Sequence, residues 1–534
     1  MIMKTNILKT AVAVIVLVGT ACTDNYLDIN THPYEPSEED MQTDGYILGS
    51  TLTSLAGTVI STDVNTAQFT DVLLGGTVGG YYAPTKQSWT NTIANYNPTD
   101  DWTNVFMRSR EIIPTLYSNL RQLRNVTDDP IVLAIADVIK VMAMHRVTDT
   151  YGPIPYSKIG ENGQIQVPYD SQEEVYDAFF AELDHAIEVL TAHRNEAISP
   201  KADYIYGGNP ERWCRLANSL KLRLAMRIVY AAPDKARRMA EEAVKSEVGV
   251  ILSNADNAQL TSFGADGNPI WVAVNYNSEG STTGGDTHVA ADITAYMAGY
   301  ADPRCAKYFI ASEWEGQPYV GIRRGIVIPQ TSVGFKYSGV NVGIASPIVW
   351  MNAAEVAFLK AEAKAVFGFD MGPSTAEELY KEGVRLSFEQ WGVSGVDAYL
   401  ADAERVPQLY IDPAGTNSYA EPLSSVTVAW NDAASVDEKQ ERILIQKWIA
   451  NWGIGNEAWA DYRRTGYPHL IPATDDGNKS LGVVDSQLGA RRMPYPSDEY
   501  TTNNENVLYA VTTLLGGKDN MATRLWWDCN PSIR

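Results

Sequence analysis

Rings and amides gathered on irregular stretches form the most chemistry-bearing pattern in this chain. Tyr81, Tyr82 and Trp89 stand with Gln87 and Asn91 in one stretch, Trp271 with Asn275, Tyr276 and Asn277 in a second, and Trp314 with Tyr319 in a third. A flat ring stacks on the C–H face of a sugar, and amides meet the hydroxyls at its rim, which is binding without a covalent step. The chain has 29 Tyr and 13 Trp against 11 Phe, a bias toward rings with a polar handle, although core packing accounts for most aromatics in any globular chain. Trp102, just beyond the first stretch, reads as the first aromatic of a helix and hence as core.

Other chemistries find little support in the residue types. His32, His145, His185, His193, His288 and His469 form no His-Glu-x-x-His motif and no close metal-spaced pair, and no serine elbow is present. Paired carboxylates for glycoside hydrolysis stand about 5 to 10 Å apart in space, a separation that sequence does not reveal. The reading is therefore of a binding protein, not an enzyme, with no cofactor required. Asp475-Asp476-Gly477-Asn478 puts oxygen ligands in a turn and offers a place for calcium, but lacks the alternating acids and distal Glu of a dedicated loop, so a solvated turn is expected. Cys214, Cys305 and Cys529 cannot all pair and have no metal-finger spacing.

The first residues address the chain to a membrane. Lys4 and Lys9 precede a short apolar run from Ala11 to Val18, and Gly19-Thr20-Ala21 leads into Cys22. The run is shorter than the roughly 18 to 20 residues that span a bilayer, so residues 1–21 read as a lipoprotein signal peptide, with Cys22 as the lipid anchor. More than one acyl chain on Cys22 would hold the body firmly to the membrane. Gly19 stands where such signals usually carry Leu, Val or Ile, which leaves open cleavage by the general signal peptidase with Cys22 unmodified. Losing Lys4 and Lys9 and no acid takes the formal charge from −23 to −25. A balance this acidic opposes the phosphate neutralisation on which nucleic-acid binding depends.

Periodicity supplies the frame for these residues. Ile135, Val138, Ile139 and Met142 share one helical face, and Ser171 with Glu174 opens a second helix carrying Phe179, Leu183, Ile187 and Leu190. Asn209-Pro210 starts a third, with Trp213, Leu216, Leu220 and Leu224 on a stripe, and Pro233-Asp234 starts its partner. Ala354, Phe358, Ala361 and Ala365 suit close packing, and Ser374 with Glu377 reads as a capping box before Tyr380, Val384 and Phe388. The expectation is one mostly α domain over 22–534, with tetratricopeptide-like helical pairs near 131–191, 210–246 and 350–391 and a further helix near 438–452, packed with a loop-rich ligand-binding face. The irregular stretches are 57–101, 253–288, 311–346, 393–436 and 465–520. Loops longer than about 15 residues are uncommon inside a compact body and are commonly functional.

Six segments in order resemble the SusD/RagB family of outer-membrane nutrient-binding lipoproteins of Bacteroidetes. They are Cys22 followed by Tyr26-Leu-Asp-Ile-Asn30, Arg146 to Tyr156, Trp213 to Arg227, Met351 to Ala363, Gln446-Lys-Trp448 through Glu457 to Gly466, and Arg491 to Pro496. The resemblance implies four tetratricopeptide-like pairs on one side and an irregular face holding the ligand. It implies a lipid-anchored place on the outer membrane facing the cell exterior, and a SusC-like TonB-dependent transporter as partner, met by the helical side. Oligosaccharide is the ligand most often bound in such a family and peptides are an alternative; a helical scaffold with no small ligand is a third reading. Thr23-Asp24-Asn25 supplies one acid where surface-displayed members usually carry an acidic stretch. Ligand residues do not transfer one by one through variable loops, so the candidates remain Tyr81, Tyr82, Trp89, Asn91, Trp271, Asn275, Tyr276 and Trp314. Within the matching blocks, Tyr151 to Tyr156 and Trp213, Trp448 and Trp459 read as structural, and Arg463-Arg464 with Asp461 as an ion pair at a helix end.

Overall fold

The computed structural model describes residues 46–108, 111–160 and 166–533, so the leader, Cys22 and the residues just after it lie outside the described residues. Helix α1 (Tyr46–Ala56) packs against α2 (Ile113–Val126). Helix α3 (Pro130–Tyr151) starts where the Asp129 carboxylate accepts from the Ile131 amide, with proline at the first helical position. It is buried on nearly every face, which makes it a central helix. Its partner α4 (Gln172–Ala192) opens on the reciprocal box of Ser171 and Glu174. A second pair, α5 (Pro210–Arg227) and α6 (Pro233–Lys245), stacks on the first through contact of α4 with α5.

Small two-stranded ladders fill the space between helices. Strand β1 (Tyr82–Pro84) pairs with β3 (Thr287–Val289), β2 (Ala258–Leu260) with β6 (Ile348–Met351), and β4 (Phe309–Ile310) with β5 (Gly339–Val340), all antiparallel. Helix α7 (Pro269–Val274) lies between β2 and β3 in sequence. A third helical pair, α8 (Ala353–Phe367) and α9 (Ala376–Gln390), is crossed by α10 (Val436–Ala450), which touches both members. Helix α11 (Gly455–Thr465) follows and packs on a buried π-helical segment, Gln68–Gly76. The architecture is thus mostly helical with little sheet, and no described helix is long and apolar enough to cross a membrane.

The structure differs in detail from the sequence reading. The capping box of α9 is Thr375 with Glu378, one residue later than Ser374 with Glu377. Both frames satisfy the S/T-x-x-E spacing, and the later one is the frame that turns Leu379, Tyr380 and Val384 into the core. The stretch 57–101, read as irregular, contains the π-helix. Its Gly75 and Gly76 look like breakers in sequence, yet they admit the backbone of α11: a Cβ on Gly455 would lie 2.3 Å from the carbonyl carbon of Gly75.

The helices are joined by buried charges. Arg223 of α5 donates Nε and Nη2 to Glu355 of α8 at 2.8 and 2.7 Å. Arg227, one turn on, donates to Asp149 of α3 and to Glu457 of α11. Lys447 of α10 donates to Asp461 of α11 at 2.6 Å, and Arg464 of α11 grips Glu362 of α8 with both Nη atoms at 2.7 and 2.9 Å. The Arg464–Asp461 contact expected at a helix end exists at 3.0 Å, but as one strand of this buried lattice. Burial alone would raise the Glu457 carboxyl; Arg227 and Arg223, with His145 and Lys447, outweigh it and hold that group well below the usual carboxylate range.

Candidate functional site

The three ring-bearing stretches, far apart in sequence, are knitted into one loop assembly. The β1–β3 ladder sets Tyr82 opposite Val289 and Pro84 opposite Thr287, which joins the first stretch to the second. Asp286 then accepts from Asn277 Nδ2 at 2.6 Å and from Lys86 Nζ at 3.4 Å, and the Thr85 hydroxyl donates to the Gly285 carbonyl at 2.7 Å. The second stretch meets the third through Thr283, which donates to the Phe335 carbonyl, and Thr282, which donates to Glu313 at 2.6 Å. Backbones approach so closely here that a Cβ on Gly339 would fall 1.5 Å from the Thr283 carbonyl oxygen. Glycine alone fits that position.

The candidate residues occupy quite different environments within this assembly. Tyr81 is fully buried: its hydroxyl donates to the Trp448 carbonyl and its ring stacks on the Trp448 indole, 5.5 Å between centroids at 15°. Tyr82 is also buried, with its ring edge-on to Trp452 at 5.3 Å. Trp89 is half-buried, edge-on to Trp102 at 5.3 Å, with Lys86 Nζ 5.7 Å from its centroid. Asn91 is exposed and donates to the Asn97 carbonyl at 3.1 Å. Trp271 is half-buried on α7, whose end is capped by Asn275 donating back to the Trp271 carbonyl at 2.8 Å. Tyr276, next in line, is 56% exposed. Trp314 is half-buried against Tyr337 at 5.8 Å, with Lys336 Nζ 5.1 Å from its ring. The indole nitrogen of Trp314 is buried without a hydrogen-bond partner.

A lysine beside each of two rings, and Asp286 beneath, were invisible to spacing rules because Lys86 and Asp286 are 200 residues apart. Only the fold brings them together. The turn around Asp475 is held by Asn478, whose Nδ2 donates to Val484 and Ser486. Among the described residues one grouping has metal-ligand geometry, His145, Asp149 and Glu457. Arg227 donates to both of its acids and Arg223 stands 3.6 Å from Glu457, so fixed positive charge already occupies the place a cation would take.

A family model for SusD-like proteins, described as Susd and RagB outer membrane lipoproteins, matches residues 28–528. The chain belongs to the SusD-like family. Solved structures agree along the same length. A SusD homolog from Bacteroides uniformis ATCC 8492 is 60% identical, with 91% of this chain and 100% of that one covered and a TM-score of 0.89. A homolog from Bacteroides ovatus ATCC 8483 is 39% identical over 91% of this chain and 100% of that one, with a TM-score of 0.82. A chitin-binding SusD homolog from Flavobacterium johnsoniae is 37% identical over 90% and 99%, with a TM-score of 0.83. No curated protein matches the chain. The SusD-like match takes in all three ring-bearing stretches, so the loop assembly is part of the shared body of this SusD-like protein and not an appendage to it.

Proposed function

We propose that this SusD-like protein is tethered through Cys22 to the outer membrane, faces the cell exterior, binds an oligosaccharide on the loop assembly and passes it to a SusC-like TonB-dependent transporter. The observation that carries the binding reading is the set of partly exposed rings, Trp89, Tyr276 and Trp314 on loops and Trp271 on α7, within an assembly tied together by hydrogen bonds. Stacking of sugar faces needs rings that are held and yet accessible; Trp89 and Trp314 are both, and Tyr276 is the most accessible. The chitin-binding relative supports a glycan as the ligand class. No covalent step is part of the proposal. Asn91 and Asn275 remain the amide candidates, although each already donates to a backbone carbonyl.

Calorimetry of the soluble chain from residue 23 onward against a glycan panel tests this reading. Affinity for at least one oligosaccharide is expected, weakened roughly tenfold by loss of one stacking ring in Trp89→Ala, Trp271→Ala or Trp314→Ala. Full affinity in all three variants would remove the loop assembly as the site. Binding of peptides with no glycan affinity would replace the ligand class.

A further inference from the structure

Beneath the loop assembly lies a cavity of about 230 Å³ whose wall includes Tyr82 of β1, Gln390 and Trp391 at the end of α9, and Trp452 in the turn before α11. Aliphatic side chains such as Val342 and Ile348 complete it. Drug-sized ligands fill about 300–1,000 Å³, so this space suits one compact unit and not a chain. Its charge is equally selective. Among the described residues no lysine, arginine or histidine lines it, and the one carboxylate, Asp71, is already satisfied by Arg146, by Thr70 at 2.8 Å and by Asn456. Two polar atoms on the lining residues are left over: the indole Nε1 of Trp391, a donor, and Oε1 of Gln390, an acceptor, both buried without a partner. Buried polar groups in native proteins are nearly always paired, so an orphan donor and an orphan acceptor on consecutive lining residues point to a ligand group that offers both.

We propose that this cavity is a specificity subsite that takes one uncharged sugar unit of the cargo. A hydroxyl or an N-acyl amide of that unit accepts from Trp391 and donates to Gln390, while its C–H face lies against Tyr82, Trp452 and the aliphatic wall. An acidic unit is excluded, because its carboxylate would be desolvated beside Asp71 with no cation to pair it. The inference rests on the glycan reading above and sharpens it to neutral cargo.

The test uses the soluble chain, with maltotriose, xylotriose and tri-N-acetylchitotriose as neutral probes and trigalacturonate as the acidic one, followed by calorimetry and tryptophan fluorescence. At least one neutral probe is expected to bind ten times or more tightly than trigalacturonate. Gln390→Leu and Trp391→Phe, which delete the orphan atoms and keep the bulk, are expected to weaken that probe about tenfold without lowering the unfolding temperature. Equal affinity for trigalacturonate overturns the assignment, and that measurement needs no variant to fold. Unchanged neutral affinity in both cavity variants also overturns it; if Trp314→Ala still weakens binding in the same experiment, the loop reading survives alone. Absence of any glycan binding by the unaltered chain removes both.

Discussion

The buried grip of Arg464 on Glu362 allows a quantitative test of what holds the helical side together. Glu362 is fully buried on α8 and accepts from both Arg464 Nη atoms and from Gln440 Nε2 at 2.8 Å. Glu362→Leu leaves a guanidinium in the interior, and breaking a buried pair in this way costs about 3–5 kcal/mol. Asp461 stays 3.0 Å from Arg464 and keeps part of the charge compensated, which puts the expected loss at the lower end, about 3 kcal/mol. With an unfolding entropy of about 2.1 cal/mol/K per residue, a chain of 534 residues has a total near 1 kcal/mol/K, so the melting temperature should fall by about 3 °C. The double variant Glu362→Leu, Arg464→Met should recover most of that fall, because an apolar pair of similar bulk avoids both desolvation penalties. Asp461 then still holds Lys447 at 2.6 Å, and Gln440 still reaches the Tyr230 hydroxyl at 3.2 Å. Differential scanning calorimetry at neutral pH reads both. A single variant that melts within about half a degree of the parent, or a double variant that melts below the single one, refutes the argument that an uncompensated buried charge dominates here.

Burial pushes the His288 imidazole from 6.5 down to about 4, so its contribution to stability is complete above pH 6.5 and is lost as the pH falls toward 4. At pH 4.5 that loss amounts to about 2–3 kcal/mol, and urea titrations of His288→Gln should show a pH 7 to 4.5 difference smaller by this amount; an equal difference in both proteins contradicts it. Gly339→Ala should disrupt the seam between the second and third loops through the Thr283 clash, lowering glycan affinity more than it lowers the melting temperature, with calorimetry on the same sample reading both. Cys22→Ala should abolish incorporation of a palmitate analogue and release the chain from membranes, whereas unchanged labelling would place the lipid elsewhere.

How much of this was legible in the sequence depended on the range of each interaction. Helix starts were readable because caps act within three residues: Asn209 before Pro210 and Ser171 with Glu174 do in space what their spacing implies. Trp213, Trp448 and Trp459 are buried for the same reason that they fall on or beside apolar stripes. The loop assembly was legible only as composition. Nothing within reach of a sequence window distinguishes Tyr81, fully buried against Trp448, from its neighbours on the same stretch, since the deciding partner lies 367 residues away. Gly75 and Gly76 fall inside the stretch read as irregular; glycine marks both a turn and a place where two backbones touch, and only the position of Gly455 separates the two uses.

The rings that the fold leaves accessible differ in how much order a ligand must still impose. Trp89 and Trp314 are already wedged edge-on against Trp102 and Tyr337 and flanked by Lys86 and Lys336, so binding there orders little. Immobilising a free side chain costs about 0.5–1.5 kcal/mol, and a ring held beforehand avoids most of that. Tyr276, at 56% exposure and at the end of α7, has no such confinement on its ring. Its backbone, however, is fixed: the Tyr276 carbonyl accepts from the Asp286 amide at 2.9 Å, inside the same Asp286 knot that holds Lys86 and Asn277. On the glycan reading proposed above, a fixed backbone with a free ring suits a residue that closes over ligands of varied linkage, while the wedged tryptophans would set the plane on which the first sugar rests. On that reading, breadth of specificity is expected to depend on Tyr276 and strength of stacking on Trp89 and Trp314.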